Sequence, residues 1–388
     1  MTEETADVVV IGGGITGTAT AYALARDGVQ VVLVERFGLA ALASRWTLAG
    51  VRQSGRHPAE LPLALAAVAR WGELDQELDS STGYRRHGNM RLARTAEEVE
   101  IIRRLVEEQA RLGLQLEFLP TTEAVRAREP ALAPTVLAAS FCASDGSADP
   151  APSVEAFARA AERHGARLHL GERVQGIEIE GGRIQAVRTD RRRIATGRAV
   201  IACGAFGNEL LAPLGLRVPL REPMVTVLQT EPLPPLLGPV LGVANADMAG
   251  RQEGSGRLRV TSGAGDWQGT LTTEPAPRVS PPAGSIAQVI EKLSYVLPAF
   301  KECPIHAAWA GLLDLTPDGL PVLDAVPGAD GLFAAMGFSG HGFGIGPVTG
   351  EIMAGLVQGR PTGFDLAPFR FDRFNSTGTP EAGLTLHG

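Results

Sequence analysis

Asp7-Val8-Val9-Val10-Ile11-Gly12-Gly13-Gly14-Ile15-Thr16-Gly17 runs an apolar strand into a G-x-G-x-x-G turn. A helix rich in small residues is expected over 18–25. A second apolar strand is expected over 29–34, and it ends in Glu35. Together these parts make a dinucleotide-binding βαβ unit. Gly12 permits the tight turn, Gly14 lets backbone approach a pyrophosphate, and Gly17 lets the helix pack on the sheet. Ile15 and Thr16 open the helix, so their N–H groups face the phosphates. Glu35 is placed to accept from a ribose diol, and a carboxylate there repels a 2′-phosphate.

The 388 residues suffice for about two domains. With 36 basic against 43 acidic side chains, the chain lacks the basic surplus of a nucleic-acid binder. Arg191-Arg192-Arg193 is the one basic run, read as a solvated turn. Three widely spaced cysteines, Cys142, Cys203 and Cys303, form no C-x-x-C; they point to a reducing cytoplasm without disulfide or zinc. Seven histidines show no metal-ligand spacing, so no metal is expected. No signal peptide fits the start, and no apolar run reaches the roughly 20 residues of a membrane span.

A helix is expected over 62–78, a strand over 88–93, and a helix capped by Thr95 and Glu98. A further helix over 152–164 closes at Gly165. Short strands follow, with a hairpin at Gly181-Gly182, and the strand 198–203 ends at Cys203-Gly204. Residues 219–265 read as β-rich and 275–284 as a Pro-rich loop. The end, 371–388, reads as a loose tail.

A second glycine block stands near the C-terminus: Gly337-Phe338-Ser339-Gly340-His341-Gly342-Phe343-Gly344-Ile345-Gly346-Pro347. It leads into a helix expected over 347–357, with Pro347 in the first turn. Two helix N-termini preceded by glycine loops can serve two electron-rich parts of one ligand. In a flavin, the second part is the N1–C2=O edge.

Trp309-Ala310-Gly311-Leu312-Leu313-Asp314-Leu315-Thr316-Pro317-Asp318-Gly319-Leu320-Pro321, the glycine block and Asp145-Gly146-Ser147-Ala148-Asp149-Pro150 carry a family resemblance. The chain resembles the FAD-dependent amino-acid oxidase/dehydrogenase superfamily, most of all the β subunits of heterotetrameric sarcosine oxidase and opine oxidases, and glycine oxidase. The resemblance implies an α/β fold. A Rossmann-like FAD-binding domain of the glutathione-reductase type is joined to a β-sheet-rich α+β substrate domain. The first would comprise 1–85, 147–220 and 305–365; the second, 86–146 and 221–304.

By the same resemblance, Arg36, Ser44, Arg45, Gly50, Val51 and Arg52 follow the second strand toward the cofactor, and the Val174 backbone meets adenine. Cys203 and Gly204 form another close approach. Gly337, Gly340, His341, Gly342, Phe343 and Gly344 lie beside the flavin. Arg52 and His341 are the candidate catalytic residues; Arg56, His57 and Trp309 are candidate substrate contacts. Arg221, Arg251 and Arg259 are further candidates to hold a carboxylate, and Asp318 is expected to fix a turn. Gly311 stands near the position of the cysteine that tethers flavin in monomeric sarcosine oxidase, so FAD is expected to be non-covalent. No histidine-tethered second flavin is expected around 141–149. Leu313 replaces an arginine that anchors carboxylates in glycine oxidase.

The activity implied is oxidation of a C–N bond in an amino or imino acid by hydride transfer to flavin N5, giving an imine that hydrolyses. A secondary amine such as sarcosine, a proline analogue or an opine is favoured. The alternatives are a 2-hydroxy acid or polyol phosphate dehydrogenase, and a flavin-bearing subunit of a hetero-oligomer with its chemistry on a partner. Oxygen, a quinone or a partner subunit remain as electron acceptors.

Overall fold

The computed structural model describes residues 2–274 and 276–375. Its first sheet runs Val322–Ala325, Leu332–Met336, Ala199–Ile201, Val8–Ile11, Val31–Glu35, Arg167–Leu170. Every neighbour is parallel except the Val322–Ala325 edge. Both faces are covered, which explains the unbroken apolar runs. Val8, Val10, Val31 and Leu33 pack toward the helices; Val9, Ile11, Val32 and Val34 pack into a separate apolar cluster. The helices Ile15–Arg26, Pro150–Arg163 and Gly342–Gln358 contribute to the first cluster. Glycine lets two of them close up: a Cβ on Gly350 would lie 2.6 Å from Ala19.

The second cluster includes residues of a meander, Val174–Glu180, Arg183–Thr189 and Arg192–Ala195, extended in parallel by Thr2–Thr5. The basic run is therefore not a solvated turn. Arg192 and Arg193 sit in a strand whose neighbours supply the counter-charges. Arg192 lies 3.2 Å from Glu4 and 2.8 Å from Glu172. Arg193 lies 2.8 Å from Glu178 and 3.4 Å from Glu3.

The second sheet has eight strands in the order Ile305–Leu312, Met224–Thr230, Leu258–Gly265, Met248–Gln252, Val240–Val243, Asn89–Ala93, Ala138–Cys142, Glu117–Leu119. Apolar residues of the helix Ala283–Val296 pack against it. Ile305–Leu312 is an edge strand here, although the sequence reading groups it with the dinucleotide unit. Its register with Met224–Thr230 decides its place.

Other local expectations shift. The helix over 62–78 is two pieces, Leu61–Trp71 and Leu74–Glu77, parted at Gly72 and Glu73. Pro347 does not open its helix, which starts at Gly342 and carries the proline inside. Residues 371–375 are docked rather than loose: Arg373 is 2.7 Å from Asp318, and Phe371 is buried. The rest of the expected tail, 376–388, and Pro275 of the Pro-rich loop lie outside the described residues.

The two sheets are joined through Arg251, fully buried on Met248–Gln252. Its Nε donates to the Leu48 carbonyl at 2.6 Å, Nη2 to the Ala148 carbonyl at 3.0 Å, and Nη1 to Ser147 Oγ at 3.1 Å. It therefore serves the seam rather than a substrate. Arg251→Met strands these buried acceptors, and is expected to cost on the order of 3 kcal/mol. Urea unfolding of the flavin-loaded protein measures the loss.

Candidate active site

One long cavity runs from the first glycine turn to the second, along the seam between the sheets. At its first end Gly12 has φ +124°, and a Cβ there would lie 2.3 Å from the Ala202 carbonyl. A Cβ on Gly17 would lie 1.9 Å from the Gly12 carbonyl, so Gly17 acts beneath the turn and not on the cavity wall. Glu35 accepts from the Gly13 N–H and the Phe37 N–H, each at 2.7 Å. A carboxylate offers about four lone-pair sites, so these bonds leave capacity for a diol. Burial raises its pKa against these two bonds. Arg36 lies 4.8 Å from the Phe37 ring centre and 5.1 Å from that of Phe206, forming part of the wall. Ser44 Oγ accepts from the Ile15 N–H at 3.0 Å. Thr16, Val174, Cys203 and Gly204 complete this end.

At the other end Gly340, Gly342, Phe343 and Gly344 bring the N-terminus of the Gly342–Gln358 helix to the wall. Phe343 lines the cavity and stacks on Trp71, whose indole N–H donates to the Gly344 carbonyl at 2.7 Å. Opposite stand Val225, Val227, Thr261, Ser262 and Ala264 of the eight-stranded sheet, with Gly50, Arg52 and Arg56 on the connecting loop.

Several expected contacts are not on this wall. Val51 is fully buried, paired with Gly146. Arg45 donates to the Ala40 carbonyl at 3.3 Å. Gly337 gives its N–H to Asp314 at 2.8 Å. His57 turns back on its own loop, its Nδ1 accepting from the Ala59 N–H at 3.1 Å. Trp309 donates to the Trp46 carbonyl at 3.4 Å, with Arg259 5.2 Å from its ring centre. Arg221 is exposed, 3.5 Å from Asp266. Asp318 accepts from the Leu320 N–H at 3.1 Å, within a turn.

His341 is buried behind the wall, its Nδ1 3.2 Å from Glu60 Oε2. Burial first, then the Arg56 charge, lowers its pKa to about 3, so the ring is neutral and donates to Glu60. It is not a proton acceptor for the cavity; it buttresses Glu60. Burial alone would raise Glu60, but Arg56, 3.6 Å away, and His341 hold it at about 2. Arg52 donates from Nη1 to the Ser54 carbonyl at 2.6 Å. Burial, then the Arg56 and Arg91 charges, depress its pKa well below the usual arginine value.

Glu60, Arg91, Asp145 and Asp314 escape the sequence reading. Asp145 is fully buried and accepts from the Gln53 N–H at 2.9 Å. Asp314 lies on the cavity wall, its pKa raised to about 6 by burial against backbone N–H bonds from Phe338 and Gly337. Its spacing before Thr316-Pro317-Asp318 was the available signal. For Arg91 the signal was alternation along a strand, polar Asn89 and Arg91 between apolar Met90 and Leu92.

Two glycine-cradled helix N-termini on one cavity, with a carboxylate at the ribose position, fit FAD and define a flavin-dependent oxidoreductase. Residues 7–356 match the family DAO, FAD dependent oxidoreductase, and the chain belongs to that family. It is 30% identical to glycine oxidase of Geobacillus kaustophilus, covering 95% of this chain and 97% of that protein. It is 28% identical to hydrogen cyanide synthase subunit HcnC of Pseudomonas aeruginosa, covering 95% and 96%. The structure of L-proline dehydrogenase from P. horikoshii superposes with a TM-score of 0.87 at 28% identity, covering 96% and 98%. The chain is thus an FAD-dependent enzyme of the amino-acid oxidase type.

Gly17→Ala overpacks the turn by about 1–3 kcal/mol. The FAD dissociation constant is expected to rise roughly 10- to 100-fold, read by flavin fluorescence quenching. Glu60 carries a second prediction. Its depressed pKa stabilises the fold above about pH 4.5, and that gain is lost as pH falls through about 2. Glu60→Gln is expected to cost on the order of 3 kcal/mol at pH 7, with the difference shrinking below pH 4 in denaturant titrations.

Proposed function

We propose that the protein oxidises the C–N bond of an amino or imino acid, a secondary amine for preference, using non-covalent FAD. The observation that carries this reading is the pair Arg52 and Arg56, both nearly excluded from water, facing the cavity beside the second helix N-terminus. At that end, the ionisable side chains on the wall among the described residues are Arg52, Arg56 and Asp314. Two guanidiniums suit a carboxylate. Bound FAD supplies a hydride acceptor; C–H cleavage in a neutral secondary amine leaves an iminium, and water converts it to a protonated amine and a carbonyl compound.

Arg52 and Arg56 orient the substrate by its carboxylate, and Glu60 with His341 fixes Arg56. The same positive field favours the neutral amine over the ammonium, so the proton leaves before the chemistry and no protein base is needed. Val225, Val227, Leu312 and Leu313 give that end apolar walls that exclude water. Gly311 offers no thiol for a flavin tether. The three free cysteines suit a reducing cytoplasm. Among the described residues no helix is long and apolar enough to cross a membrane. A second reading, a flavin-bearing subunit of a larger complex, is favoured by the likeness to HcnC, which is named as a subunit.

The test is anaerobic bleaching of the flavin band near about 450 nm by D- and L-amino acids, sarcosine, proline analogues, opines and 2-hydroxy acids. Amines are expected to bleach it and hydroxy acids are not. Reduction by hydroxy acids alone overturns the reading; a bound flavin that only a co-purifying partner lets react supports the subunit reading. With an active amine, kcat/KM is expected to rise with pH as the ammonium deprotonates, with no limb from His341 between about pH 5 and 8. Arg56→Met is expected to lower kcat/KM by about 2–4 kcal/mol, roughly 30- to 1,000-fold, in steady-state assays.

A further inference from the structure

Asp314 is the carboxylate on the wall at the reacting end, and among the described residues no arginine, lysine or histidine nitrogen lies within 4 Å of it. It follows the edge strand Ile305–Leu312 and is half-buried. Its side chain reaches across to the end of the parallel sheet, where a Cβ on Gly204 would lie 4.0 Å from Oδ2. Its partners are backbone. Oδ2 accepts from the Gly337 N–H at 2.8 Å, and Phe338 gives the carboxylate a second N–H. The Asp314 carbonyl accepts from the Ser339 N–H at 3.2 Å. Ser339 Oγ in turn accepts from the Thr316 N–H at 3.1 Å. Residues 314–316 are thus clasped to 337–339, and from Ser339 the chain runs straight into the Gly342–Gln358 helix. A change of charge on Asp314 therefore falls on the loop that carries the second helix N-terminus.

The charges around Asp314 are already engaged. Arg52 faces Asp145, and Arg56 lies 3.6 Å from Glu60. Arg91 converges on Arg52 beneath Gly55. Burial, and then the Arg56 charge, bring Arg91 down to about 10, which leaves it charged at neutral pH. His341 is neutral. Arg52, Arg56 and Arg91 therefore stand against Glu60, Asp145 and an ionised Asp314, and that end is balanced. Toward the nucleotide end, burial and then Glu35 push the Cys203 thiol up to about 12, so it is neutral. Glu35 itself holds the Gly13 and Phe37 N–H groups, and Arg36 is 3.7 Å from Glu209. On the remaining side Asp318 is paired with Arg373, and Arg221, whose backbone bridges to Leu315, is paired with Asp266.

Flavin reduction upsets this balance. Hydride carries two electrons and one proton, and its negative charge stays behind when the imino acid leaves as a zwitterion. A carboxylate that no cation meets resists a second negative charge nearby, and protonation relieves it. Burial has already raised the Asp314 pKa to about 6, against the N–H bonds from Phe338 and Gly337. A further negative charge moves it the same way.

We propose that Asp314 holds the proton coupled to flavin reduction, ionised before hydride arrives and protonated after it. The proton comes from solvent: the carboxylate gains H+ and becomes the carboxylic acid, and the net charge at that end is unchanged. A two-electron acceptor such as oxygen or a quinone also takes two protons. One travels with the hydride, and Asp314 returns the other to solvent or to the acceptor on reoxidation. Asp314 is thus a positioning residue. It acts through the field and the loop at the second helix N-terminus, not on the C–H bond. The proposal needs bound flavin and not a particular amine, so it stands apart from the substrate reading above.

The test is the two-electron reduction potential of the FAD-loaded protein, read by equilibration with a reference dye over about pH 5 to 9 with no amine present. Each proton coupled to two electrons lowers the potential by about 30 mV per pH unit. Just above pH 6 the wild type is expected to fall by about 60 mV per unit, two protons, and Asp314→Asn by about 30 mV, one proton. Below about pH 6 the two lines are expected to run parallel, because Asp314 is protonated in both redox states. At about pH 8 Asp314→Asn is expected to be the easier to reduce, since its amide carries no charge. Asp314→Glu is expected to keep a two-proton stretch. A one-proton slope throughout the wild-type range, or a two-proton slope that persists in Asp314→Asn, overturns the proposal. Should Asp314→Asn fail to fold or to hold FAD, wild-type protein carrying isotope-labelled aspartate decides. Reduction is expected to raise a protonated-carboxyl band in the infrared difference spectrum, shifted by the label; its absence overturns the proposal. Because the reductant is not an amine, a panel of amines that leaves the flavin oxidised overturns the substrate reading alone.

Discussion

A guanidinium taken out of water must find its partners inside the protein, and the seam between the two sheets is organised around that demand. Arg251 meets it with backbone carbonyls from the dinucleotide side, which ties the sheets together. Arg56 meets it with Glu60. Arg52 is held by the loop that carries it, and Arg91 is left mostly unmet. Along one surface the same chemistry grades from structural clamp to ligand-facing charge. The difference is how many acceptors the fold supplies at each position.

The buried acids complete this arrangement without lying over the reacting end. Asp145 accepts from the backbone and side chain of Ser54 and from the Gln53 N–H, so it shapes the loop bearing Arg52. Glu60 and His341 stand behind Arg56. Apolar strands on one side and fixed cations on the other leave Asp314 as the one carboxylate among the described residues on the wall at that end. This suits a substrate that sheds its proton on the way in.

Much of the nucleotide end was legible because its requirements are local. A strand, three glycines, a helix and a carboxylate within 35 residues can each be read from immediate neighbours, and the contacts of Gly12 and Gly17 show why no other residue fits. The reacting end is assembled from strands and loops far apart in sequence, and there the reading faltered. His341 looked like a catalytic group because glycines flank it, yet burial behind Glu60 takes it off the wall. Trp309 points at Trp46 because the edge strand that carries it belongs to the second sheet. The basic run at 191–193 finds its acids across strands, Glu172 and Glu178 some 15 to 20 residues back and Glu3 and Glu4 from the far end of the chain. Pro347 was expected to begin a helix, but the glycines before it already coil.

The pairing of Thr2–Thr5 with Arg192–Ala195 bears on the order in which the chain can take shape. The central strand Val8–Ile11 needs Ala199–Ile201 beside it, and that strand needs Leu332–Met336 on its far edge. During synthesis the first residues therefore wait for about half the chain before their neighbour emerges, and the sheet is complete only near the end. Such long-range pairings slow folding and keep apolar edges exposed meanwhile. The eight-stranded sheet shares the delay, because its edge strand Ile305–Leu312 also comes late. A ribosome releasing this protein releases both halves of it almost together.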